Sequence, residues 1–424
     1  MLSARTHSRE SGSDLPRVVC LLGDFDMGGV PRVYLTMLEV LVERGHEVVV
    51  VAPDGEWRPR YESAGIAWAQ IDWDARAEAF AQVGRLLEPT DVCVQVFDRR
   101  TLFALPALAA VAPTMLSLHS SAPRTIPWVG EEVWQTTSQI VRALCASGRL
   151  TLGTIGANYA QEYAEAFGVD RSFVGVLVPA VPVDDIASQP AGDINRVLCL
   201  GRLSVEKRSQ VEAGVALVTE RRAAGFPAVL EVVGDGPWRA EAEAYCAAHL
   251  PQDAYGFHGQ TWEPITWMHG AGTVLATGLT ALEAACAGAR VVLYRTTPDD
   301  RGPLGPVFKL RRYEKAAADS FGWRNYAPRT VQEVWAELDE QGRFKLARLE
   351  EHVRAHNSPS AAADSLINPL LALGRLEPEP VMAVLGQTAA RLHDQYEAKR
   401  AEAEQVWIER EWFRQKAQER PSGA

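Results

Sequence analysis

The chain has 424 residues, 47% of them hydrophobic and 23% charged, with a formal net charge of −11. That length exceeds one ordinary core and predicts two domains. The acidic balance excludes a general nucleic-acid binder, which needs a basic footprint, but leaves room for a local basic pocket that takes a small phosphorylated ligand.

In chain order, residues 1–16 are polar, lack the apolar core of a signal peptide and predict a disordered lead. Arg17–Leu22 reads as a strand and Gly23–Gly29 as a Gly/Asp-rich loop. Apolar residues at Val33, Leu35, Leu38, Leu41 and Val42 set a helical period that Gly45-His46 ends. Glu47–Ala52 is an almost wholly apolar strand, as suits a parallel sheet covered on both faces. Two strands joined by a helix make a right-handed βαβ unit. The pattern continues with a weak strand at Ile66–Trp68, a helix over Asp74–Leu87, and strands at Asp91–Val96, Thr114–Leu118, Leu152–Ile155 and Val174–Val178. The longest apolar stretch, Leu102–Met115, is broken by Pro106 and Pro113 and is too short to cross a bilayer. Pro179–Ala191 has no period and reads as a linker.

The alternation then restarts. Val197–Leu200 is a strand and Ser209–Arg222 a helix; Ala228–Val233 is a strand whose Gly234-Asp235-Gly236-Pro237 turn opens a helix to Leu250. Tyr255–His258, Gly272–Leu275 and Val291–Tyr294 are further strands. Ala389–Arg420 holds no Gly, balances its charges and scatters its aromatic residues, which reads as a long charged helix. Such a helix can cross back onto the first domain or self-associate; with no wide apolar stripe, peripheral membrane contact ranks below both. The predicted fold class is α/β, with two doubly wound Rossmann-like domains facing across a cleft. Residues 17–185 form the first domain, 186–380 the second and 381–424 the helical tail.

The six cysteines are scattered, with no CxxC and no His at metal spacing; Cys20, Cys93 and Cys199 sit in apolar runs, which predicts buried reduced thiols and fits a cytoplasmic protein. The chemistry concentrates elsewhere. Arg202 and Lys207 stand on the loop leaving the strand Val197–Leu200, and in open α/β sheets ligands bind beyond the strands' carboxyl ends. Taken alone, these are two solvated surface cations. Their position, and an acid in the same domain, change that reading. Glu283 is the only charge in the helix Leu279–Ala287. A buried carboxylate there needs partners, and ribose hydroxyls are suitable donors. Gly278 lets a ligand approach the helix N-terminus, where the dipole favours anions. His119 follows the strand Thr114–Leu118 and by itself is as well explained by a structural role. Gly28 and Gly29 end a loop that is not GxGxxG, so a dinucleotide is disfavoured, while close approach to a phosphate or sugar is permitted.

The segments GRLSVEKR at 201–208 and GLTALEAACAGARVVL at 278–293 resemble the retaining GT-B glycosyltransferases of family 4. Gly28-Gly29, Arg32, Arg44-Gly45-His46, Gly234–Pro237 and Phe257-His258-Gly259 agree with that family in order and spacing, over about residues 17–295. The resemblance implies that Arg202 and Lys207 hold the diphosphate of a nucleoside diphosphate sugar, and that Glu283 holds its ribose. It implies that His119 faces the donor sugar, and that Gly278, Leu279, Gly28, Gly29, Gly234 and Gly259 bring backbone close to the donor. It implies transfer to an acceptor hydroxyl with retention, the departing phosphate taking the proton. No cofactor and no metal are expected, the two cations standing in for one. The family's usual first Glu falls at Leu275 when the chains are aligned on Glu283. The contact to the donor sugar is then lost or supplied elsewhere, with Asp299, Asp300 and Arg301 as candidates. Asp24 and Asp26 are the acids available as a base, which would mean inversion. A sugar-nucleotide epimerase of the same architecture, and a non-catalytic nucleotide-sugar-binding scaffold, are the competing readings.

Overall fold

The computed structural model describes residues 15–25, 28–294, 304–322 and 326–373. The predicted lead up to residue 14, Asp26, residues 299–301 and the predicted tail 381–424 lie outside the described residues.

The first domain runs β1 (Val18–Leu21), α1 (Gly29–Glu43), β2 (Val48–Ala52), α2 (Arg58–Ser63), β3 (Ala67–Gln70), α3 (Arg76–Leu86), β4 (Val92–Val96), α4 (Leu105–Val111), β5 (Thr114–Leu118), α5 (Ala122–Val129), α6 (Glu131–Ala146), β6 (Leu150–Thr154), α7 (Ala157–Phe167) and β7 (Val174–Val176). Its seven strands are all parallel, in the order β3-β2-β1-β4-β5-β6-β7. Every residue of β1, β2, β4, β5 and β6 is buried, because helices cover both faces. In α1, Val33, Tyr34, Met37, Leu38 and Leu41 share the buried face. The helix stops at Gly45, whose φ of 91° only glycine adopts readily. Its N–H bonds to Val42 O at 2.9 Å, and that of His46 to Leu41 O at 3.0 Å.

The second domain runs β8 (Asp193–Leu200), α8 (Arg208–Ala223), β9 (Val229–Val233), α9 (Arg239–His249), β10 (Tyr255–Phe257), α10 (Pro264–Gly270), β11 (Ala271–Ala276), α11 (Leu279–Cys286), β12 (Arg290–Tyr294), β13 (Leu304–Val307), α12 (Tyr313–Ala318), α13 (Val331–Asp339) and α14 (Arg343–His356). The sheet order is β10-β9-β8-β11-β12-β13, with β13 antiparallel to β12 at the edge. Both sheets reverse their order beside their first strand, between β1 and β4 and between β8 and β11. Loops leaving such a pair diverge and open a crevice.

Two features tie the domains together. Arg354 donates to the carbonyls of Val183, Ile186 and Cys286, fastening the linker to the second domain. The last described helix, α15 (Pro359–Ala372), then leaves that domain and packs on the first. Ala362, Ala363, Leu366, Ile367 and Leu370 enter the core formed by α1, β1 and β2. Arg44 clamps the helix through Asp364 and the Ser360 hydroxyl, each at 2.6 Å. All six cysteines are buried and unpaired. Among the described residues no helix is long and apolar enough to cross a membrane.

Candidate functional site

The crevice of the second sheet is built by backbone. Gly201 N–H donates to Val233 O, and Leu203 N–H to Asp235 O at 2.8 Å. Gly234 N–H donates to Gly259 O at 2.7 Å, knitting the loops after β8, β9 and β10 into one rim. Gly234 has a φ of 145°, and a Cβ there would sit 1.9 Å from Gly201 O. Glycine is therefore required by the rim itself. Arg202 is exposed on this rim. Lys207 ends a single 3-10 turn, Val205–Lys207, and its Nζ lies 3.4 Å from where a Gly201 Cβ would stand. Across the crevice, Gly278 caps α11 with φ 60° and ψ −138°. The structure thus brings Arg202, Lys207, Gly278 and Leu279 to the β8/β11 switch point.

Glu283 is buried in α11, with 2% of its surface exposed. Its nearest cation comes from the other domain: Arg32 Nη2, in the first turn of α1, lies 2.9 Å from Glu283 Oε1. The N–H does not point along that line, so Oε1 has the charge contact without an aligned hydrogen bond. Burial pushes the Glu283 carboxyl above its ordinary range, and the Arg32 charge pulls it back. Leu279 packs against the cores of both domains, and the Arg32–Glu283 pair joins α1 to α11. Gly28 and Gly29 form the opposite lip, at the start of α1.

His119 sits at the end of β5, with Nε2 3.0 Å from Ser117 Oγ and 3.2 Å from the hydroxyl of buried Tyr34. Burial lowers its pKa to about 4, so the ring is neutral at ordinary pH. Leu275 lies wholly within β11, in the core with Cys199, Val232 and Val292. No carboxylate can stand at that position.

Sequence reasoning missed several residues at this cleft. Burial pushes the Tyr294 phenol up to about 12, with the Thr277 hydroxyl and, more weakly, the charge of Arg124 on α5 opposing. One turn on, exposed Trp128 lies under the Arg99 guanidinium at 5.7 Å. Trp57 of the first domain meets Trp262 of the second edge-on at 5.2 Å, and the Arg60 guanidinium stands 4.7 Å over Trp262. Tryptophans on loops after strands were the available signal. Their pairing depends on how the domains face.

No family model and no curated protein matches the chain. Solved structures do. HepE of Anabaena, in complex with UDP and glucose, superposes with a TM-score of 0.63 at 13% identity, covering 85% of this chain and 100% of HepE. A glycosyltransferase from Rickettsia africae gives 0.62 at 12% identity, covering 85% and 100%. WaaG, a glycosyltransferase of lipopolysaccharide biosynthesis, gives 0.52 at 18%, covering 82% and 98%. At such identities the likeness concerns the fold: two doubly wound domains facing across a cleft, the GT-B arrangement.

Proposed function

We propose that this chain is a glycosyltransferase that moves a sugar from a nucleoside diphosphate sugar to an acceptor hydroxyl. The observation that supports the reading is the β8/β11 switch point, with Arg202 and Lys207 on the loop after β8 and the N-terminus of α11, which carries buried Glu283, on the loop after β11. In the reaction, the bond between the anomeric carbon and the diphosphate oxygen breaks, and negative charge grows on the departing phosphate. Cations and helix N–H groups fixed beforehand stabilise that charge. They take the place of a divalent metal. The ribose is assigned to Glu283, and the acceptor to the first domain beside His119.

Retention of configuration, and a hexose as the transferred sugar, belong to this reading through the resemblance in GRLSVEKR and GLTALEAACAGARVVL. A neutral His119 can donate a hydrogen bond to a sugar hydroxyl without acting as a strong base. HepE has been crystallised with UDP and with UDP-glucose, which makes UDP the first nucleotide to try.

The test compares UDP with uridine by calorimetry. Arg202→Ala and Lys207→Ala should each weaken UDP binding by roughly tenfold or more, as expected for a lost charge-assisted bond, and leave uridine unchanged. Equal loss for both ligands would remove the diphosphate assignment.

A further inference from the structure

The acid assigned to ribose already has a partner. Arg32 and Glu283 come from opposite domains and meet at 2.9 Å, in a seam closed by Leu279. Glu283 is 2% exposed, so a lone carboxylate there would be costly. Ribose hydroxyls that bind Oε1 must compete with the Arg32 guanidinium for that oxygen. A half-buried guanidinium in turn needs a new anion.

A nucleoside diphosphate brings that anion to the right place. Leu279 and Glu283 are one turn apart on α11, about 6 Å along the axis at 1.5 Å per residue. A diphosphate at the helix N-terminus is thus within a side-chain swing of the present Arg32 position. Arg32 follows Gly29 by less than a turn of α1, next to the same lip.

We propose that Arg32 is a positioning residue that exchanges partners when donor binds: it leaves Glu283 to the ribose and turns to the diphosphate. The proposal rests on the reading of Glu283 as the ribose acid. It predicts selectivity by charge exchange. A ligand with phosphates replaces one ion pair with another, whereas a bare nucleoside breaks the pair and supplies no anion. Arg32 thereby holds the empty cleft shut against nucleosides and helps orient the whole donor.

The test uses the full chain, with UDP and uridine as probes, and compares wild type with Arg32→Ala and Arg32→Gln. Removing the competitor should tighten uridine binding by roughly threefold or more, while the preference for UDP over uridine drops by roughly tenfold. The Gln variant keeps side-chain length and should behave alike, and it serves if the Ala variant does not fold. Arg32→Lys keeps the charge and should restore most of the preference. Arg202→Ala should lower the preference without tightening uridine, which separates the two roles. If uridine binds the Arg32 variants unchanged or more weakly, the exchange is wrong and the pair is a static brace. If wild type binds neither UDP nor any other common nucleoside diphosphate, the ribose and diphosphate reading itself falls, and the exchange falls with it.

Discussion

Two glycine-bearing rims face each other across the cleft. In the second domain, a Cβ on Gly234 would lie 1.9 Å from Gly201 O, and one on Gly236 would lie 2.2 Å from Leu203 O. Both residues also have φ near 150°, where side chains are strained. In the first domain, a Cβ on Gly29 would meet no described atom within 4 Å, and Gly28 has an extended φ of −171° that any residue adopts. The second rim needs glycine so that its own loops can touch. Elsewhere on the first domain's loops the need is internal too, since a Cβ on Gly55 would lie 2.5 Å from Phe25 O, but Gly29 has no such neighbour, so a requirement for glycine at that position must come from what approaches it. A glycine pattern in sequence cannot separate the two causes, because both look like a Gly-rich loop after a strand.

Gly234→Ala is the strongest way to break this contrast. It should cost about 3 kcal/mol or more, from positive-φ strain and the collision with the 201 carbonyl. Urea denaturation should show a much lower midpoint, and UDP binding should fall with it because Arg202 rides on the displaced loop. An unchanged midpoint would mean that the three loops do not depend on one another.

His119 sharpens the contrast from the first domain, whose rim is tuned by burial. Its folded pKa is about 4, against 6.5 for an ordinary imidazole. As pH falls, the unfolded chain takes up the proton first. The stability present above pH 6.5 is therefore lost as pH falls from 6.5 to about 4. His119→Gln keeps a hydrogen-bonding group and does not titrate. Thermal melts across this window should fall more steeply for wild type than for the variant. Parallel curves would mean that the ring is solvated in the folded chain.

The parallel strands were legible because strands buried on both faces become apolar runs, such as Glu47–Ala52, found as Val48–Ala52. Arg202 and Lys207 could be placed at a crevice because the strand before them and the restart of the βαβ pattern fix which loop they occupy. Other features were hidden for identifiable reasons. The α5 helix carries Pro123 at its start and Pro127 inside, which mask its period. The α15 helix is Ala-rich with Pro369 inside it, and its return to the first domain depends on a surface that α1 supplies only once folded. The Arg32–Glu283 pair joins two helices of different domains. Each residue was visible in its own motif, but nothing local to either one announces the other. Leu275 shows the reverse: alignment flagged it as a missing acid, and its strand position gives the reason, since it fills the core.

Gly29→Ala should have the smallest effect on the fold and the most selective effect on the site. Gly29 is the first residue of α1, and alanine suits a helix better than glycine does. Stability should stay level or rise by up to about 1 kcal/mol, since alanine also restricts the unfolded chain. If the donor's phosphates or sugar pass close to this backbone, the added methyl group stands in their way. UDP-glucose binding should then weaken while the urea midpoint holds. That pairing of results, opposite to the one expected for Gly234→Ala, would assign the first rim's glycine to the ligand. Unchanged binding would leave the Gly28-Gly29 lip as an ordinary βα turn, and would move the donor's contacts on this side to Arg32 and His119.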